Sequence, residues 1–465
     1  MDPLPSRFTG IDILPEKPFS NDKLGYSQYA STLTGMVDMY AGTGCVIAVN
    51  GKWGSGKTTF LKMWSTSLPA DKYKTIYFNA WETDYFTDPL IAILGELSEI
   101  AEDNEQKKTF INSAGKIASA VGGALLKGLA RKFTGIDDEV IDDTVDELKA
   151  SLGNSLDIYK GQKQSLTEFR KKLSEFVASQ DHKSVVFMID ELDRCNPDYA
   201  VRLLETVKHL FEVPNICFIL AVDKQQLECS IKGFYGSNEI DAGNYLRRFI
   251  DIEFRMPDPN LEKFASVLFD HYNYQPMIEA MTQSIFNSKE EFCEMATAFG
   301  SLYFMDLRSF DKVFAHARLA LIQLNNDSIL LKTVLFLCFI RVGDPAFYEA
   351  LERRRYTIQG LLDEFEKKFP QKFLKKDNYG SSTGRLAHSI IYIIGPILMM
   401  YNIVDGAVVE SGLNDWDKSK PFPLSCHVID NETLKDSVNW FSQHGSRSYG
   451  LSNVFKTVNL LRQFN

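Results

Sequence analysis

GCVIAVNGKWGSGKTTFLKMW, residues 44–64, holds the order strand, loop, helix on which the rest of the chain can be laid out. The apolar and mostly β-branched run 46–49 enters a glycine-rich turn, and the chain leaves it with Phe60, Leu61 and Trp64 at helical spacing. Inside the turn, Gly51-Lys52-Trp53-Gly54-Ser55-Gly56-Lys57-Thr58 fits GxxxxGK[ST], the phosphate-cradling loop, in the strand-to-helix context that motif requires. Glycines let successive N–H groups turn inward, and the following helix sets its positive end toward a bound anion. On this reading Gly51, Trp53, Gly54, Ser55, Gly56, Lys57, Thr58 and Thr59 bind ATP. Lys57 reaches the β and γ phosphates, and the Thr58 hydroxyl ligates Mg²⁺.

Working outward, KTIYFNAWETD (74–84) reads as a buried strand ending at Asn79, and SVVFMID (184–190) is a continuous apolar run ending in an acid. A helix follows from about Asp198, with Ala200, Leu203, Leu204, Val207 and Leu210 on one face, and NICFILAVD (215–223) repeats the apolar run that ends in an acid. Strands alternating with helices predict βαβ crossovers and a mostly parallel sheet, with chemistry at the carboxyl ends of the strands. From about 83 to 148 the apolar period is helical, interrupted at 115–135 by an insertion rich in small residues that the pattern assigns to neither helix nor strand. After FIDIEFRMPDP (249–259) helical periods dominate, and Pro257 with Pro259 marks a domain boundary. The predicted fold is therefore α/β, a three-layer αβα sandwich of the P-loop NTPase kind, followed by an α-helical C-terminal domain.

Phosphoryl transfer needs a metal-directed acid and a group to orient water. Asp190 and Glu191 supply two carboxylates at a strand end: Asp190 for the Mg²⁺ shell, Glu191 to polarise the attacking water. Guanine is commonly read by [NT]KxD after a strand, and Val222-Asp223-Lys224-Gln225 lacks both the leading Asn or Thr and the closing Asp, so ATP is preferred over GTP. No HExxH motif or metal-spaced histidine cluster supports zinc hydrolysis.

The bulk numbers exclude other classes. A chain of 465 residues exceeds what one core usually serves, and 45% hydrophobic with 24% charged residues argues against wholesale disorder. The net charge of −10 disfavours whole-surface attraction to nucleic acid or anionic lipid. Seven scattered cysteines, without a CxxC pair, suggest a reducing cytoplasm rather than a disulfide framework. The first residues lack the basic start and apolar core of a secretory signal, and no stretch reaches roughly 20 uninterrupted apolar residues, so no integral membrane segment is expected. Segments 117–130 and 389–404 come nearest, the first broken by Lys127 and the second by Gly395-Pro396. Both read as buried or amphipathic helix, with peripheral membrane contact as the alternative.

Five phrases, GKWGSGKTTF, FNAWETD, VVFMIDELDRCNPDYAVRLLETVKHLF, FILAVDKQQLECSI and NYLRRFIDIEFRMP, stand in one order over about 22–308. Together they resemble the KAP family of P-loop NTPases, in the additional-strand, catalytic-glutamate division near the AAA+ and STAND ATPases. The resemblance implies a KAP-type core over 1–258 with a helical insertion around 83–180, and a mostly helical 259–465 in which 259–325 is a lid or sensor-2 subdomain. It implies that Asp223 is a sensor-1 residue on a strand between those of the phosphate loop and the acids. It further implies that Arg247 or Arg248 acts as an arginine finger, that Arg308 acts as a sensor-2 arginine, and that Asp193 and Arg194 match the family's LDR phrase. The family usually shows paired aspartates where this chain has Asp190-Glu191, and many members carry inserted transmembrane helices where this chain has 115–135. Trp81 is expected to pack, with Glu82 approaching the nucleotide.

In the helical half, Arg353, Arg354, Arg355, Lys367, Lys368, Lys372, Lys375 and Lys376 interleave with Tyr356, Phe365, Phe369 and Phe373. That stretch reads as a solvated amphipathic helix, with nucleic-acid contact as the weaker alternative. Two functional classes follow: an oligomerising ATPase that passes its nucleotide state to the helical domain and a protein partner, or a nucleotide-dependent scaffold with little turnover. The resemblance adds a bacterial or phage-related setting, including defence against phage.

Overall fold

The computed structural model describes residues 12–460 apart from 41, 86–88, 99–169, 172, 176, 179–183, 211–212, 280–287, 325–327, 376–381, 405–406 and 446–449. The segments expected at 115–135 and 117–130, and most of the insertion at 83–180, lie outside the described residues. The chain divides into two compact units, one ending at Asp258 and the other running on from Pro259.

In the first unit the apolar runs become β1 (Cys45–Asn50), β2 (Tyr73–Asn79), β3 (Ser184–Asp190) and β4 (Ile216–Val222), joined by β5 (Ile252–Arg255). All neighbours pair in parallel, in the order β2-β3-β4-β1-β5. β4 is buried at every residue because it sits centrally and is covered on both faces, which is why its sequence is continuously apolar rather than alternating. Side chains still alternate between faces. Cys45, Ile47, Val49, Val186, Met188, Cys217, Ile219 and Ala221 face α1 (Ser27–Tyr40) and α2 (Lys57–Ser67), packing on Leu33, Val37, Phe60, Leu61 and Trp64. Val46, Val185, Phe187, Ile189, Phe218 and Leu220 take the opposite face. They meet Ile93 and Leu97 of α3 (Pro89–Ser98), Leu203, Leu204 and Val207 of α4 (Pro197–Leu210), Leu227 and Ile231 of α5 (Lys224–Tyr235), and Leu246 of α6 (Ala242–Leu246). Helix, sheet and helix form the three layers.

Among the described residues the regular elements of the second unit are helices, save for a short antiparallel pair, Ile403–Val404 with Ala407–Val408. Its core contains a chain of phenylalanine rings, Phe365, Phe336, Phe299, Phe339 and Phe310, with successive centroids 5.3–6.0 Å apart. The helix Ser382–Tyr401 runs through Gly395-Pro396, in keeping with the reading of 389–404 as a buried helix as far as Tyr401. Gly395 permits close packing of the neighbouring helix Asn431–His444, and a Cβ added there would lie 2.4 Å from Ser437 Oγ and 3.2 Å from the Val438 nitrogen. Ser437 in turn donates to the Ile391 carbonyl at 3.3 Å, one residue from the carbonyl that Pro396 leaves without its helical donor. The segment Gly384–Tyr401 of the first of these helices is long and apolar enough to cross a membrane by length and composition, and 78% of it is buried. Gly395→Ala is expected to destabilise this unit by about 1–3 kcal/mol through overpacking. Urea unfolding checks it, and an unchanged midpoint contradicts the packing argument.

Candidate active site

Parity along the strands determines where the acids go. Val186 and Met188 face α2, so Asp190, two residues on, does too; Ile219 and Ala221 put Asp223 on the same side. Register brings the ends together: Asn79 lies opposite Asp190, Asp190 opposite Ala221, and Asn50 opposite Val222. β1 then runs into the phosphate loop, whose first N–H, from Gly51, donates to the Val222 carbonyl at 3.0 Å. The sheet therefore gathers the loop and both acids at one edge, on the α2 face.

The loop is shaped for an anion. Gly54 and Gly56 have φ of 73° and 89°, a left-handed backbone that glycine adopts without steric cost. No side chain caps α2 at Gly56, so its first N–H groups keep no protein acceptor along the helix. Ser55 Oγ is buried with no hydrogen-bond partner, an orphaned donor consistent with a phosphate oxygen as its intended acceptor. Lys57 is 8% exposed and donates from Nζ to the Gly51 carbonyl at 2.6 Å and to the Lys52 carbonyl at 3.2 Å. Burial pulls its pKa below the ordinary lysine value, opposed by the charges of Asp193, Asp223 and Asp190.

Side chains outside the motif fix the loop. The Tyr26 hydroxyl donates to the Ser55 carbonyl at 2.9 Å. The Trp53 amide donates to Asp223 Oδ2 at 3.1 Å, while the Trp53 indole N–H donates to Asp193 Oδ2. That same carboxylate oxygen accepts from the Asp223 amide at 2.9 Å, so a buried Asp193 ties the loop to the end of β4. Burial pushes the Asp193 carboxyl above the usual range, and the Asp223 amide, Lys57 and Trp53 work against it. Asp193→Ala is expected to cost about 1–3 kcal/mol, since it leaves the Asp223 and Trp53 donors without an acceptor, whereas Asp193→Asn keeps an acceptor oxygen and loses less. Denaturant unfolding of both variants checks this ranking, and equal losses contradict it.

Asp190, 1% exposed, accepts from the Tyr77 hydroxyl at 2.8 Å on Oδ2 and from the Glu191 amide at 2.8 Å on Oδ1. Burial, then the Asp190 charge, pushes the Tyr77 phenol upward, keeping it a donor. Glu191 has φ of 60°, an uncommon conformation for a non-glycine residue that breaks the strand and turns its side chain into a cleft. The cleft, about 350 Å³, is lined by Thr58, Lys62, Tyr77, Asn79, Glu82 and Glu191 among others. Asn79 donates to Glu82 at 2.8 Å. Glu191 pairs with Arg194 at 3.1 Å, and the guanidinium lies 5.5 Å from the Trp81 ring centroid. Trp81, expected to pack, is instead half exposed beneath that cation. The Thr58 hydroxyl and Asp190 carboxylate are hard oxygen donors, the type Mg²⁺ takes alongside phosphate oxygens and water.

The arginines stand differently. Arg247 and Arg248 follow α6, both exposed, and among the described residues no ion pair holds either. Arg308 is exposed in the first turn of the helix Leu307–Gln323, in the second unit. In the basic stretch Phe365, Phe369 and Phe373 are buried and so cannot stack on bases. Arg353 and Lys368 pair with Glu349 and Asp344 at 3.0 and 2.7 Å. Sequence reading overlooked Tyr26, Tyr77 and Lys62; the one available signal was that Tyr77 shares the parity of Asn79, which ends β2 opposite Asp190.

The profile of the KAP family P-loop domain matches residues 26–324. Over 394 residues the chain is 22% identical to the phage T7 exclusion protein of Escherichia coli strain K12, in an alignment covering 77% of this chain and 50% of that protein. The chain thus spans about half the length of this curated relative. Among solved structures, the ORC2 protein of Aeropyrum pernix in its ADPNP-ADP complexes aligns with a TM-score of 0.31 and 11% identity, covering 100% of this chain and 96% of the other. Drosophila ORC bound to DNA aligns with a TM-score of 0.33 and 13% identity, covering 96% and 97%.

Proposed function

Because the chain belongs to the KAP family of P-loop domains, we propose that it binds ATP with Mg²⁺ and hydrolyses the terminal phosphate, coupling nucleotide state to self-association and to a protein partner. The observation that carries this reading is the convergence, at one sheet edge, of the uncapped α2 terminus and Lys57 with Asp190, Glu191 and Asp223. Lys57 exchanges its carbonyl partners for β and γ phosphate oxygens, and the loop amides and Ser55 Oγ donate to the same anion. Thr58 and Asp190 would hold the metal, whose charge would offset that developing on the phosphates. Glu191 accepts the proton of the attacking water, and Asp223 keeps the Trp53 amide in place. Arg247 or Arg248 reaches the site of a neighbouring copy, and Arg308 serves as a sensor of nucleotide state. A cytoplasmic setting suits this chemistry.

The phage exclusion relative supports a role in defence against phage for this chain. A second reading, a nucleotide-dependent scaffold with little turnover, is favoured by the ion pair that Arg194 makes with Glu191. Mixing separates the two. Arg247→Ala or Arg248→Ala combined with Glu191→Gln restores part of the activity when sites are shared between copies, with ATP used in preference to GTP. No phosphate release by wild type at any protein concentration, with ATP still bound, sinks the ATPase reading in favour of the scaffold.

A further inference from the structure

We propose that Tyr77 is a positioning residue for Asp190, setting the carboxylate that receives Mg²⁺; the inference rests on the Mg-ATP reading of this site. A carboxylate held at one oxygen can still swing about its terminal torsion. Asp190 is held at both, by the Tyr77 hydroxyl on Oδ2 and by the Glu191 amide on Oδ1, each at 2.8 Å. Each oxygen offers two acceptor directions, so this anchoring fixes the group while leaving one direction on each oxygen for metal or metal-bound water.

The anchor comes from a separate strand, which makes it independent of the loop that carries Glu191. Tyr77 stands opposite Met188, two residues short of Asp190, and a two-residue step along a strand is about 6.6 Å. A serine or threonine at this position falls short of that span, while a tyrosine crosses it and brings a hydroxyl to the end. Lys62, one turn along α2 from Thr58, places its ammonium 5.1 Å from the Tyr77 ring centroid and covers the ring from the helix side. Phenol, Thr58 and Glu191 line the same cleft, so the hydroxyl acts beside the reacting groups without needing to touch substrate.

Tyr77→Phe keeps the ring and removes only the donor. The test is titration of a non-hydrolysable ATP analogue into wild type and variant, with Mg²⁺ and with EDTA. In EDTA the two proteins are expected to bind alike, which also shows that the variant folds. In Mg²⁺ the metal-dependent tightening is expected to fall about tenfold in the variant, at the low end of what a hydrogen bond to a charged group contributes. Half-maximal phosphate release shifts to a correspondingly higher Mg²⁺ concentration. Equal tightening in both proteins overturns the inference, and so does a loss of the same size in EDTA and Mg²⁺, which would make Tyr77 merely structural. A wild type whose analogue affinity ignores Mg²⁺ overturns the reading of the site itself, a result distinct from either of these.

Discussion

Lys57→Ala is expected to weaken ATP binding by about a hundredfold or more, the scale of losing a charge-assisted contact to polyphosphate in a buried site. Nζ sits against two loop carbonyls, and the charges of Asp193, Asp223 and Asp190 favour its ammonium form. Removing it takes away the attraction and also leaves three carboxylates facing an anionic ligand, so repulsion adds to the loss. Lys57→Arg keeps the charge but replaces a compact ammonium by a planar fork on a longer stem, and is expected to recover only part of the affinity. Calorimetric titration with Mg-ATP reads both, and affinity within a few-fold of wild type for the alanine variant contradicts the assignment.

Glu191→Gln is expected to leave ATP affinity within a few-fold of wild type and to lower turnover by about 10²–10⁴-fold, the usual contribution of a positioned general base. The amide is nearly isosteric, keeps an oxygen for Arg194 and leaves the backbone turn at φ 60° unaltered, so binding has little reason to change. What it cannot do is accept a proton from water. Steady-state phosphate release beside a binding titration separates the two effects.

Much of this site was legible in the sequence, for a local reason. The loop at 51–58 is a contiguous motif, and β3 and β4 announce themselves as apolar runs ending in acids because a central parallel strand is buried on both faces. The position of β4 between β1 and β3 followed from the family resemblance. What stayed hidden depends on contacts between distant segments. The Tyr77 bond to Asp190 spans 113 residues and exists only through the β2–β3 register, and the Tyr26 bond to the Ser55 carbonyl needs the start of α1 laid against the loop. Trp81 read as a packing residue, but its neighbour Arg194 is recruited by a turn that Glu191 creates, and the indole stays half exposed. Likewise the close approach of Ser437 to Gly395 joins two helices and is not legible in either segment alone.

The most direct test of the central claim is phosphate release by wild type and Glu191→Gln at saturating ATP and Mg²⁺, over a series of protein concentrations. The expected result is ATP-selective turnover that rises per protomer with concentration and disappears in the variant, while both proteins still bind ATP. Equal turnover in wild type and variant contradicts it.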